Sequence, residues 1–71
     1  MIIARRLRMA REGRGMRQED LSIRSGVHKN SIYAYEIGKA TPGAQNLVAL
    51  ADALEVSLDW LCGRDGRKYD H

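Results

Sequence analysis

The sequence has no phenylalanine, one cysteine, one proline, one tryptophan and two histidines in 71 residues. A lone cysteine, Cys62, excludes an internal disulfide, and with only His28 and His71 beside it there is no cluster of metal-ligand spacing. No metal and no other cofactor is expected, and Cys62 reads as a small apolar residue packed near a helix end. No apolar run approaches the roughly 20 residues that span a bilayer. The start, Met1-Ile2-Ile3-Ala4-Arg5, puts its apolar residues before its charges, opposite to a secretory signal. The expectation is a cytoplasmic protein without membrane contact. No glycine-rich phosphate loop follows a strand, and no nucleophile, histidine and carboxylate fall into a motif. A chain this short buries only about 60% of its unfolded surface, which leaves little room for a pocket. Neither catalysis nor a small-molecule ligand is expected, and the adjacent Glu19 and Asp20 read as first-turn helix residues.

What is present points to helices. Hydrophobic residues make up 44% of the chain, and without phenylalanine the core has to come from Leu, Ile, Val, Ala and Met, which suits helix packed on helix. The charge is uneven. Met1 to Lys39 carries 9 Lys/Arg against 4 Asp/Glu, net +5, whereas Ala40 to His71 carries 3 against 5, net −2. A basic half on a small domain is an electrostatic footprint for polyphosphate.

Ile3, Leu7 and Ala10 recur at helical spacing among arginines, which predicts an amphipathic first helix ending near Gly13 to Gly15. Gln18 to Ser25 reads as a short second helix closed by Gly26. His28 to Ile37 reads as a third, with Ile32 and Tyr35 inward and Gly38 as a left-handed cap. The few residues between the second and third helices allow only a tight turn. After Thr41-Pro42-Gly43, the stripe Ala44, Leu47, Leu50, Ala51 and Leu54 predicts a fourth helix. Ser57 is a candidate N-cap, with Val56 able to staple Leu61, for a fifth helix over Leu58 to Cys62. The expected division is one domain over residues 1–63 and a flexible polar tail over 64–71.

Two short helices joined by a tight glycine-bearing turn, within a basic half-chain, form the arrangement in which the second helix enters the major groove of DNA. The resemblance then becomes specific. Met16-Arg17-Gln18-Glu19-Asp20-Leu21-Ser22, Ser25-Gly26-Val27, Ser31-Ile32, Glu36, Gly38-Lys39, Pro42, Leu47, Leu50-Ala51, Ala53-Leu54 and Val56-Ser57-Leu58-Asp59-Trp60-Leu61 follow one another at spacings that resemble the phage repressor and Cro-like helix-turn-helix family. The resemblance runs from about Ile3 to Gly63. It implies an all-α, compact five-helix fold of the lambda-repressor kind, with the helix-turn-helix at helices two and three.

The resemblance also implies roles. Lys29, Asn30 and Tyr33, with Ala34 near them, fall where the family reads base edges: lysine can donate to guanine, asparagine can pair with adenine, and alanine can touch a thymine methyl. Arg17, Gln18 and Lys39 are candidate contacts to the DNA backbone, Gln18 through the free amides of a helix N-terminus. Arg11 and Glu36 match a structural ion pair of the family. The implied function is a sequence-specific, double-stranded DNA-binding transcriptional regulator, a repressor reading a pseudo-palindromic operator as a homodimer. Leu58, Trp60 and Leu61 are the candidate dimer face, with Trp60 equally readable as a core residue. The alternative is an antitoxin or antirepressor whose main partner is a toxin or another protein. Such an adaptor has no need for Gln18, Lys29 and Asn30 together on a basic face.

The sequence departs from the family pattern at four places. Arg17 and His28 stand where short hydroxyl or amide side chains usually cap helices two and three, and both are expected to cap poorly. Ile37 replaces a polar residue able to meet phosphate. Glu55 stands where glycine usually adopts the left-handed conformation that ends helix four.

Overall fold

A computed structural model of the chain describes residues 1–64. Five helices carry them: α1 (Ile2–Gly13), α2 (Gln18–Ser25), α3 (Lys29–Glu36), α4 (Ala44–Leu54) and α5 (Leu58–Leu61). There is no strand among the described residues. The all-α expectation is met, with the boundaries of α3 and α5 one residue tighter than the sequence suggested. The expected polar tail, apart from Arg64, lies outside the described residues.

Each helix sends at least one aliphatic side chain wholly out of solvent: Leu7 from α1, Leu21 from α2, Ile32 from α3, Leu50 and Leu54 from α4, and Leu61 from α5. Burying a side chain of this kind contributes about 1.5–3 kcal/mol, so the core alone selects which face of each helix turns inward. α1 packs on α3 and α5, α2 packs on α3 and α4, and α4 packs on α5. Two inward stripes differ from the periodicity reading. On α1 the buried line is Ala4, Leu7 and Arg11, with Ile3 and Ala10 only half-buried at its margin. On α4 the stripe shifts toward Ala53, and Ala44 at the helix start is exposed. Arg11 displaces apolar residues from the α1 stripe because it has a buried partner, which hydrophobic periodicity does not register.

The helix ends explain the connections. Ser57 Oγ accepts from the Trp60 amide at 3.0 Å, so α5 has the expected cap. Glu55 is the one non-glycine residue with positive φ among the described residues, at φ 59° and ψ 43°. Arg14 braces it: a guanidinium nitrogen lies 3.3 Å from Glu55 Oε2, and another donates to the Leu54 carbonyl at 3.4 Å, at the negative end of α4.

A left-handed non-glycine residue costs roughly 1–2 kcal/mol, and an exposed ion pair returns about 0–1 kcal/mol of that. Glu55→Gly is therefore expected to raise the melting temperature by a few degrees, about 4–8 °C per kcal/mol for a domain of this size. Salt screens the Arg14–Glu55 pair in the parent, so the gain is larger at high ionic strength. Thermal denaturation at two salt concentrations checks both parts, and a lower melting temperature at high salt contradicts them.

Candidate nucleic-acid interface

α2 and α3 are joined by Gly26, Val27 and His28 alone. Gly26 sits at φ 79°, a left-handed turn that glycine makes at no steric cost, and its N–H donates to the Ser22 carbonyl at 2.8 Å. Val27 is buried beneath the turn, and its N–H donates to Ser25 Oγ at 3.1 Å. His28 caps α3 after all: its Nδ1 accepts from the Asn30 amide at 3.0 Å. The imidazole nitrogen takes the place of a short hydroxyl oxygen because it reaches the same orphan N–H. At α2 the expectation of a weak cap holds. The Arg17 backbone N–H donates to Asp20 Oδ2 at 2.8 Å, and a guanidinium has no acceptor with which to return the bond.

The inner and outer faces of α3 are sharply divided. Ile32 and Tyr35 are buried, and the Tyr35 hydroxyl accepts from Asn46 Nδ2 at 2.8 Å, which ties α3 to α4. Lys29, Asn30 and Tyr33 are exposed and Ala34 is half-buried beside them. Ile37, one turn beyond Tyr33, is also exposed. The first turn of α3 carries no acidic residue, whereas α2 begins with Glu19 and Asp20. A cation at the positive end of a helix dipole is unfavourable by some tenths of a kcal/mol to about 1 kcal/mol. Lys29 is therefore placed against the stability of its own helix.

The angle of α3 is set by a buried charge network. Arg11 Nε donates to Glu36 Oε2 at 2.7 Å and Arg11 Nη2 to Glu36 Oε1 at 3.0 Å, a bidentate pair between α1 and the last residue of α3. The Glu36 side chain is 4% exposed and that of Arg11 10%. Arg11 Nη1 donates to the Met16 carbonyl at 2.7 Å, which fixes the loop leading into α2. The hydrogen bond from Glu36 raises the Arg11 pKa above its ordinary value against the opposing effect of burial, so the guanidinium stays charged. The expected structural pair is present, with one addition: Gln18 Nε2 donates to Glu36 Oε1 at 3.1 Å. The side chain expected at a phosphate is thus half-buried and gives its Nε2 to Glu36, while the first N–H groups of α2 have no acceptor within the helix.

The other expected contacts are exposed. Arg17 is exposed, with its guanidinium 3.6 Å from Asp20, and Lys39 is exposed just beyond α3. The candidate dimer face divides. Leu58 is 40% exposed. Trp60 is half-buried, with the Arg6 guanidinium 5.0 Å from its ring centroid and Arg6 Nη1 donating to its carbonyl at 2.6 Å. Leu61 corrects the expectation: it is wholly buried in the core of the protomer, where Val56 also packs, so it has no surface to offer a partner. Arg6 was not singled out by sequence, since a cation 54 positions from its aromatic partner gives no local signal. No helix among the described residues is long and apolar enough to cross a membrane.

Two helices locked at a tight turn, the second bearing exposed polar side chains on a basic half-molecule, define a helix-turn-helix domain of the phage repressor and Cro-like kind. The chain belongs to the helix-turn-helix family, whose profile matches residues 7–61. It is 41% identical over 64 residues to the cryptic phage CTXphi transcriptional repressor RstR of Vibrio cholerae, covering 90% of this chain and 57% of that protein. It is 41% identical over 56 residues to the uncharacterized HTH-type transcriptional regulator y4dL of Sinorhizobium fredii, covering 79% of this chain and 29% of that one. The chain therefore spans from under a third to somewhat over half of the length of these relatives. Its structure is similar to that of the P22 c2 repressor, solved in complex with synthetic operator 9T in the presence of Tl+. The TM-score is 0.80 and the identity 33%, covering 86% of this chain and 92% of that one.

Removing one partner of a buried pair strands the other charge, at a cost of about 3–5 kcal/mol. Arg11→Ala is expected to lower the melting temperature by about 12 °C or more. Glu36→Gln, which keeps the shape and the Oε1 acceptor, costs less. Equal melting temperatures for Arg11→Ala and the parent would show that the pair does not hold the helices.

Proposed function

We propose that the chain is a sequence-specific double-stranded DNA-binding transcriptional regulator, acting as a repressor. The observation that carries this reading is the placement of α3: a helix with its inner face anchored to α1 and α4, and Lys29 and Asn30 exposed at its first turn. The N-terminal residues of such a helix meet base edges in the major groove. The likeness to a phage repressor, and to a repressor solved with its operator, supports the same reading.

Lys29 donates to guanine O6 and N7, Asn30 pairs with adenine, and Ala34 and Tyr33 present apolar surface to a thymine methyl or the groove wall. The α2 backbone amides at Gln18, with Arg17 and Lys39, meet phosphates and set the register without reading sequence. The work is binding rather than catalysis, and it takes place with DNA in the cytoplasm. Two copies bind a pseudo-palindrome with half-sites about one helical turn, roughly 34 Å, apart. Leu58 and the open side of Trp60 supply the contact between them.

Selection of bound sites from a random duplex pool at stated salt is expected to return a motif with two-fold symmetry. Lys29→Ala or Asn30→Ala then relaxes preference at one position of each half-site by about 1–3 kcal/mol, whereas Arg17→Ala weakens all sequences alike and lowers the salt slope by about 0.9. Equal effects on every sequence from both classes refute these roles.

Lys29→Glu separates regulator from adaptor more directly. It relieves the dipole conflict, so the free protein gains some tenths of a kcal/mol to about 1 kcal/mol, while a carboxylate facing the duplex abolishes DNA binding. Melting temperature and duplex affinity measured on the same preparation are expected to move in opposite directions. A variant that still binds its selected duplex sinks the reading of α3.

A further inference from the structure

Beside the outward face of α3, the structure holds a shallow hollow of about 220 Å³ between α1 and the end of α3. Met1 and Ala4 line it from one side, Ile37 and Gly38 from the other, and Arg5 and Arg8 reach it from α1. Ile37 belongs to both surfaces. It is 55% exposed and stands one turn from Tyr33, which is 54% exposed and itself one turn from Lys29, so exposed residues at one-turn spacing lead from the start of α3 to the hollow.

The charge there is positive. Arg5 and Arg8 are both exposed and lie three residues apart, on one face of α1. Arg5 makes no ion pair or side-chain hydrogen bond among the described residues. Arg8 meets Glu12 at 3.1 Å in an exposed pair of the weak i, i+4 kind, which a phosphate can displace. The nearest carboxylate in the hollow, Glu36, is spent on Arg11 and Gln18 and is nearly closed to solvent. Among the described residues that line the hollow, no free carboxylate competes for a ligand. The Ile37 side chain has no donor, and the N–H groups of Ile37 and Gly38 are taken by the Tyr33 and Tyr35 carbonyls at 3.1 and 3.2 Å, so an anion held here is held from the α1 side.

We propose that Arg5 and Arg8 form a second backbone clamp, which takes the sugar–phosphate strand flanking the half-site as it leaves the C-terminal end of α3, with Ile37 packing against the sugars. This rests on the reading of α3 as the groove helix and extends it. The clamp adds affinity and salt dependence and carries no sequence information.

The test uses the full chain and the duplex recovered from the random pool, prepared at full length and with its outer base pairs removed. Trimming weakens the parent but leaves Arg5→Gln/Arg8→Gln unaffected. On the full-length duplex the double variant has a salt slope lower by about 1.8, so between 50 and 200 mM salt it loses about 12-fold less affinity than the parent. Its base preference is unchanged, and Arg5→Lys/Arg8→Lys keeps the parental slope. A double glutamine variant that melts like the parent and retains the full slope overturns the clamp while leaving the DNA reading intact, and so does an altered base preference. A parent chain that binds no duplex overturns both.

Discussion

The structure depends on one buried carboxylate. Glu36 ends the helix that faces outward, yet its two oxygens are turned inward and filled by Arg11 from α1 and Gln18 from α2. Taking two charges out of water is costly, and apolar residues of similar volume often stabilise a fold as well or better. What a bidentate pair adds is geometry, since two parallel hydrogen bonds tolerate one relative placement of guanidinium and carboxylate. Three helices and the loop at Met16 are thereby referred to a single point. No buried side-chain nitrogen or oxygen among the described residues lacks a partner, so the network is complete.

From that point outward the molecule separates a packed interior from the face proposed to meet DNA. Leu7, Leu21, Ile32, Leu50, Leu54 and Leu61 close the core, and the Tyr35–Asn46 bond fixes α3 to the helix behind it. The polar outer face of α3 takes no part in this. Its first turn opposes the local dipole, and its surroundings draw on the basic half of the chain. Local preference and tertiary placement disagree there, as they do where a helix end is kept for use rather than for stability.

Most of this architecture is legible in the residues. The stripe on α4, the glycines after α2 and α3 and the Ser57 cap mark helices by local rules, and local rules are what a sequence states openly. The Arg11–Glu36 pair was reachable only through family resemblance, because a 25-residue separation has no period. Gln18 shows the same limit: its place at the head of α2 was correct, while its bond to Glu36 depends on how two helices meet. His28 caps α3 against its propensity, because propensity counts residue types and a ring nitrogen in the right rotamer does what a hydroxyl does. Leu61 is not legible in the same way, because an apolar residue on a four-residue helix points inward or outward with little in the sequence to decide it. The Glu55 conformation was foreseen, because a left-handed helix end is a backbone requirement that persists whatever residue fills it.

The exposure of Lys29, Asn30 and Tyr33 carries an evolutionary implication. None of the three spends its side chain on the interior, so exchanging them disturbs neither the anchored underside of α3 nor the carboxylate that orients it. If α3 reads DNA as proposed, a lineage built on this frame alters which sequence it recognises by drifting at a few surface codons, while the scaffold beneath stays under separate constraint.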